Sequence, residues 1–128
     1  AQGIRKIVKL PVSVPSHTPL MCQAAERLGL AIESMSWQMP DRTIIHNVDA
    51  QAKDSVQAIQ QALMAQLYLP VQWTQCVQAL AAHGIQHAVE CGPGKVLSGL
   101  IKRIDKSVAT YTLSSPSEWQ STHEQTFV

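Results

Sequence analysis

No apolar run in this sequence is long enough to cross a bilayer, and no secretory leader is visible. Charge of either sign is scarce and balanced: Lys and Arg number 10 against 9 Asp and Glu, a formal net charge of +1. That balance excludes a protein held on nucleic acid or a membrane surface by bulk charge. The cysteines, Cys22, Cys76 and Cys91, are an odd set without CxxC spacing, and buried thiols in a reducing cytoplasm are expected. There is no repeat, no low-complexity segment and no paired-carboxylate site. Trp37, Trp73 and Trp119 do not cluster, which fits packing residues better than base-stacking platforms. Gly92-Pro93-Gly94-Lys95 lacks the spacing of a phosphate loop, and no Ser or Thr follows Lys95. A turn needing two glycines explains it, although a helix N-terminus there could still hold an anion.

Apolar residues make up 45% of the 128, enough for a core within one domain or part of one. Ile4 to Val14 reads as a strand. Val8, Leu10, Val12 and Val14 alternate with Lys9, Pro11 and Ser13, and the prolines confine it to an edge strand or an extended link. Pro19 to about Met35 reads as a helix capped by Ser16 or Thr18, with Leu20, Ala24, Leu28, Ala31 and Met35 on one face. A link holding Pro40 leads to a short strand, Thr43 to Val48, and a turn, Asp49 to Lys53. Asp54 caps a helix to about Tyr68 on a Val56, Ile59, Leu63 stripe. Gln66 continues that stripe, and a polar residue there lines a cleft or bonds within the core.

Past Leu69-Pro70, Val71 to about His83 is helical, with Trp73, Cys76, Val77 and Leu80 inward and Gly84 as its stop. Ile85 to Cys91 and Val108 to Leu113 read as strands on either side of a helix from Lys95 to about Lys106, with Leu97, Leu100, Ile101 and Ile104 inward. Ser115-Pro116-Ser117-Glu118 matches a capping box opening a short helix to about Gln125. The alternation gives an α/β layer fold with a mainly parallel sheet. The chain opens on Ala1 almost directly into a strand, so residues are expected upstream.

His17 stands where the strand pattern changes to a helical one. Such junctions fix the backbone and leave a side chain accessible, and an imidazole there can move a proton near neutral pH. A capping or hydrogen-bonded histidine fits the same position. His83, His87 and Cys91 recur every four residues, but Gly84 breaks helical geometry between the first two, which argues against zinc.

The segment Leu10-Pro11-Val12-Ser13-Val14-Pro15-Ser16-His17 resembles the catalytic-histidine segment of the bacterial malonyl-CoA–acyl carrier protein transacylase family. Three further segments match in order: Asn47-Val48-Asp49; Gln66-Leu67-Tyr68 with Pro70-Val71-Gln72-Trp73-Thr74; and Glu90 through Leu97. Together they run from about Lys9 to Leu113.

The resemblance implies a cytoplasmic fatty-acid synthesis enzyme with a Ser-His dyad. A serine in a G-x-S-x-G elbow takes malonyl from malonyl-CoA, a substrate rather than a cofactor, and passes it to acyl carrier protein. His17 would be base toward the serine and acid toward the departing thiol. In the family a main-chain carbonyl, matched here by Gln66, orients the histidine in place of a carboxylate. Ser16 sits where related domains differ between malonyl and branched extender units. The implied fold is an α/β-hydrolase-like acyltransferase core with a ferredoxin-like small subdomain. Residues 1–13 would be the tail of the small subdomain and 14–128 the C-terminal part of the large one.

The chain departs from the family in having no G-x-S-x-G, no malonyl-binding arginine segment and no oxyanion glutamine, all upstream of the histidine in the family. The missing N-terminal part is therefore an expected partner, and the family suggests a monomer when intact. Without it, the faces that Leu28, Ile59 and Leu100 pack against should be exposed. Lys95, Lys102 and Lys106, with Arg103 beside them, lie on a helix face opposite its apolar residues. That face is an ordinary solvated surface or a docking site for an acidic carrier protein. The alternative to an enzyme is a non-catalytic acyl-carrier-binding or regulatory module with a degenerate acyltransferase fold. A serine elbow upstream separates the two.

Overall fold

The computed structural model describes residues 12–115, 117 and 118. The expected strand up to residue 11, and the end of the last helix toward Gln125, lie outside the described residues. Val12 to Pro15 forms no strand, and the chain bends at Val14. A single 3₁₀ turn, Pro19–Met21, leads into α1 (Cys22–Glu33), and α2 spans Val56–Ala65. α1 packs on α2 through Ala25, Gly29 and Ile32, facing Ile59 and Ala62. The apolar face of α1 is thus one position round from the expected one: Leu20 is 79% exposed and Met35 is also in solvent. Gly29 lies on the buried line: a Cβ there would lie 2.7 Å from Met64 Sδ, so the glycine leaves that flexible side chain its place between the helices.

The expected strand from Thr43 to Val48 does not form. β-branched residues favour a strand only where a neighbouring ladder accepts them. Here His46 alone finds one, in a single antiparallel bridge to Gln51, and the chain turns between them with Ala50 left-handed at φ 58°. Ser55, not Asp54, caps α2, its hydroxyl accepting the Ala58 N–H at 3.3 Å.

α3 spans Trp73–Ala82 and ends as expected at Gly84. The Gly84 N–H returns to the Ala81 carbonyl and the Ile85 N–H to that of Leu80, a Schellman closure. The remaining elements form one unit, β1 (His87–Cys91), α4 (Val96–Ile104) and β2 (Ala109–Leu113), with the strands parallel in register from His87 opposite Ala109 to Cys91 opposite Leu113. Val77, Ile101 and Val108 are the centre of a core that Trp73, Ala81, Ala88 and Ile104 surround. On α4 the buried positions are Ser98 and Ile101; Leu97, expected inward, is exposed, because only one side of the helix meets the strands and α3. No helix among the described residues is long and apolar enough to cross a membrane.

Of the thiols only Cys76 is buried, its Sγ directed at the His46 carbonyl, and burial pushes that thiol up. Cys22 and Cys91 are exposed, contrary to expectation: Cys22 is the first residue of α1, at an open hollow with Met64 and Tyr68, and Cys91 is the last of β1. Ile59 is buried and Leu28 and Leu100 half-buried. The large apolar side chains left in solvent are others, among them Leu20, Leu30 and Val96.

Candidate active site

The chain reverses between Pro15 and Thr18, and His17 takes a left-handed backbone there, φ 62°. For a residue other than glycine such a conformation costs about 1–3 kcal/mol, and it persists only where its surroundings hold it. The surroundings come from the end of α2. The ladder of α2 closes with bonds to the Met64 and Ala65 carbonyls, and the carbonyls of Gln66 and Leu67 lie beyond it. The His17 N–H donates to the Leu67 carbonyl at 2.9 Å, and its ring Nδ1 lies 2.7 Å from the Gln66 carbonyl. A carbonyl only accepts, so Nδ1 carries the hydrogen, and in the neutral ring Nε2 keeps its lone pair. His17 itself is exposed. The structure therefore joins two residues 49 apart in sequence, His17 and Gln66, through the main-chain oxygen. Gln66 is the C-cap of α2 rather than a member of its stripe.

Neither Ser16 nor Thr18 caps the helix that follows: the 3₁₀ turn has no side-chain cap bond. Ser16 is exposed beside His17. The Thr18 hydroxyl instead donates to the Pro15 carbonyl at 2.8 Å, across the turn that holds His17. Sequence reasoning placed Thr18 only as a cap, because a threonine before a proline at a helix start carries that signal and no other.

The turn at Gly92-Pro93-Gly94 needs its glycines, at φ 134° and 97°. The helix end behind it is not open to an anion. The Glu90 carboxylate accepts the N–H groups of Ser98 at 2.8 Å and Leu97 at 3.1 Å, and the Ser98 N–H above all holds its carboxyl below the usual range. The protein's own carboxylate thus takes the place a phosphate would have. His83 Nδ1–H donates to the Ala79 carbonyl at 2.7 Å, and His87 stacks on Tyr111. Among the described residues no three metal-ligating side chains come together.

The basic residues divide. Lys95 is at the N-cap position of α4 and pairs with Glu118 at 3.4 Å. Lys102 and Arg103 are exposed in the last turn of α4. Lys106 is exposed but lies beyond the helix, which ends at Ile104 with Asp105 extended, so it is not on the expected helical face. The Asp105 carboxylate accepts the N–H and hydroxyl of Ser107, closing that turn.

No family model matches the chain. It is 44% identical over 117 residues to malonyl CoA-acyl carrier protein transacylase of Escherichia coli K12, covering 91% of this chain and 38% of that protein. The crystal structure of malonyl-CoA:acyl carrier protein transacylase from Xanthomonas oryzae pv. oryzae superposes with a TM-score of 0.91 at 58% identity, over 96% of this chain and 39% of that one. A malonyl-transacylase in complex with its type II PKS acyl-carrier protein superposes at 0.86, with 37% identity over 91% of this chain and 38% of that one. The chain is thus a segment homologous to the malonyl CoA–acyl carrier protein transacylases, in sequence and in α/β fold, spanning about 38% of the length of the curated relatives it matches.

Proposed function

We propose that this chain supplies the base of a Ser-His acyltransferase that carries malonyl from coenzyme A to acyl carrier protein. In this reading it is the C-terminal part of the enzyme, with residues 1–13 closing a small ferredoxin-like subdomain, and the nucleophile comes from the part it does not span. The observation that carries the proposal is the His17 ring, tethered at Nδ1 to the Gln66 carbonyl and exposed.

Such a ring has one task left open, at Nε2. It takes the proton from a serine hydroxyl as the oxygen attacks the thioester carbonyl, then gives it to the coenzyme A sulfur as the C–S bond breaks. The carrier's thiol repeats the sequence in reverse: its proton goes to Nε2, its sulfur attacks the malonyl ester, and the serine oxygen leaves and recovers a proton. The Gln66 carbonyl fixes the tautomer and ring plane, the role a carboxylate has in a triad. These steps use no resident metal or cofactor. Lys102 and Arg103, with Lys95 and Lys106 at either end, would meet an acidic carrier, and Ser16 would border the acyl group. The intact enzyme would act as a cytoplasmic monomer.

The test is His17→Ala in the intact enzyme. Malonyl loading and transfer to carrier protein should both slow by about 100- to 10,000-fold, the range of a lost general base. Near-normal turnover removes His17 from the mechanism.

A further inference from the structure

His17 is held in a conformation that its own residue type disfavours, so something must hold it there. Its N–H and Nδ1 bonds anchor it to residues 66 and 67 from one side. From the other side the only side-chain hydrogen bond across the turn, among the described residues, is that of Thr18 Oγ1 to the Pro15 carbonyl. A turn with positive φ at its third residue ordinarily calls on Gly or Asn there. Here the third residue is histidine, and the hydroxyl of the fourth ties back to the first.

The residue type fits that task. Thr18 has extended backbone, φ −132° and ψ 161°, and its β-branching restricts χ1, so little rotamer freedom is lost when the bond forms. Its carbonyl accepts the Met21 N–H at 3.0 Å, which fixes the same residue to the start of the 3₁₀ turn. Thr18 therefore couples the turn bearing His17 to the helix that follows, while its hydroxyl is withdrawn from capping.

We infer that Thr18 is a positioning residue: through its bond to the Pro15 carbonyl it keeps His17 left-handed and its Nδ1 on the Gln66 carbonyl. This rests on the reading of His17 as the base for its kinetic consequence, but not for its structural one. The experiment uses the intact enzyme carrying Thr18→Val, which keeps the shape and deletes the hydroxyl, and Thr18→Ser, which keeps the hydroxyl. The ¹⁵N signals of the His17 ring report the Nδ1–H tautomer. In Thr18→Val they should move toward a mixture of tautomers, and in Thr18→Ser they should stay with the parent. In step, kcat should fall about 10- to 100-fold in Thr18→Val, with KM for malonyl-CoA little changed, and return in Thr18→Ser. Adding Thr18→Val to His17→Ala should cost nothing more, since the two act as one unit. Unchanged ring signals in a folded Thr18→Val protein overturn the positioning role whatever the rate does. Near-normal turnover in His17→Ala overturns the base instead, and leaves the ring signals to decide Thr18 alone.

Discussion

Val77 is 2% exposed, on the side of α3 that meets Ile101 of α4 and Val108 just before β2. Val77→Ala removes two methyl-sized groups from that contact. The lost transfer free energy is about 0.8 kcal/mol for each, about 1.6 kcal/mol together. The gap adds to this, because Trp73, Ala81 and Ile104 around it relax only in part. The better helix propensity of alanine returns about 0.5 kcal/mol. The net loss is about 2 kcal/mol, a typical value for a core truncation. At roughly 2–4 °C per kcal/mol for a domain in a chain of this class, the melting temperature of the intact enzyme should fall by about 4–8 °C. Urea unfolding should show a lower midpoint with an unchanged slope. Turnover at 25 °C should be unaffected, since Val77 touches neither the turn at His17 nor the end of α2. A loss below about 0.5 kcal/mol, the range of ordinary surface changes, would refute the assignment of this cluster as the centre of the core.

Glu118 is held down to about 2 by the Ser114 hydroxyl first, then the Ser114 N–H, the Thr112 hydroxyl and Lys95. A carboxylate lowered on folding stabilises above its ordinary value of 4.5 and loses that contribution as pH falls toward 2, so Glu118→Gln should flatten the acid limb of stability in that window, and an unchanged acid limb counts against it. His46 is 6% exposed and pushed down by burial and by Lys53, with Asp49 opposing. Its neutral form is the folded one, so stability should fall as pH drops below 6.5 and His46→Gln should remove part of that slope, read by melting temperature against pH. Reversing Lys102 and Arg103 to Glu should raise KM for carrier protein but not for malonyl-CoA; equal effects on both would argue against docking on the end of α4. The 128-residue chain alone should form no malonyl adduct on incubation with malonyl-CoA, since a base without its nucleophile has nothing to activate; an adduct in intact mass measurement, with Ser13, Ser16 or Cys22 the first candidates, would refute this.

The candidate site was half legible. His17 stood at a change of periodicity, and the family resemblance paired it with a main-chain carbonyl at Gln66. The bond itself joins 17 to 66, and the left-handed turn that makes it possible has no sequence signature, because histidine is not a residue that φ 62° calls for. The Glu90 cap was missed for a related reason. A capping carboxylate is expected within the first turn of a helix, and this one reaches the Leu97 and Ser98 N–H groups from the preceding strand, across the glycine turn.

Local chemistry determined the order and type of most elements: the helical spacing of α3, the glycines after it and at Gly92 and Gly94, and the two apolar runs that pair as parallel strands. These depend on neighbours a few residues away, which the sequence contains. Tertiary structure decided which side of each helix is buried, whether Thr43 to Val48 pairs, which thiols are exposed and what the ends of α2 and α4 bond to. Periodicity defines an apolar arc on a helix, but the partner selects where on that arc contact falls, and at α1 it falls along Ala25, Gly29 and Ile32. A strand pattern states only a willingness to pair, and a ladder forms where the fold brings a second backbone alongside.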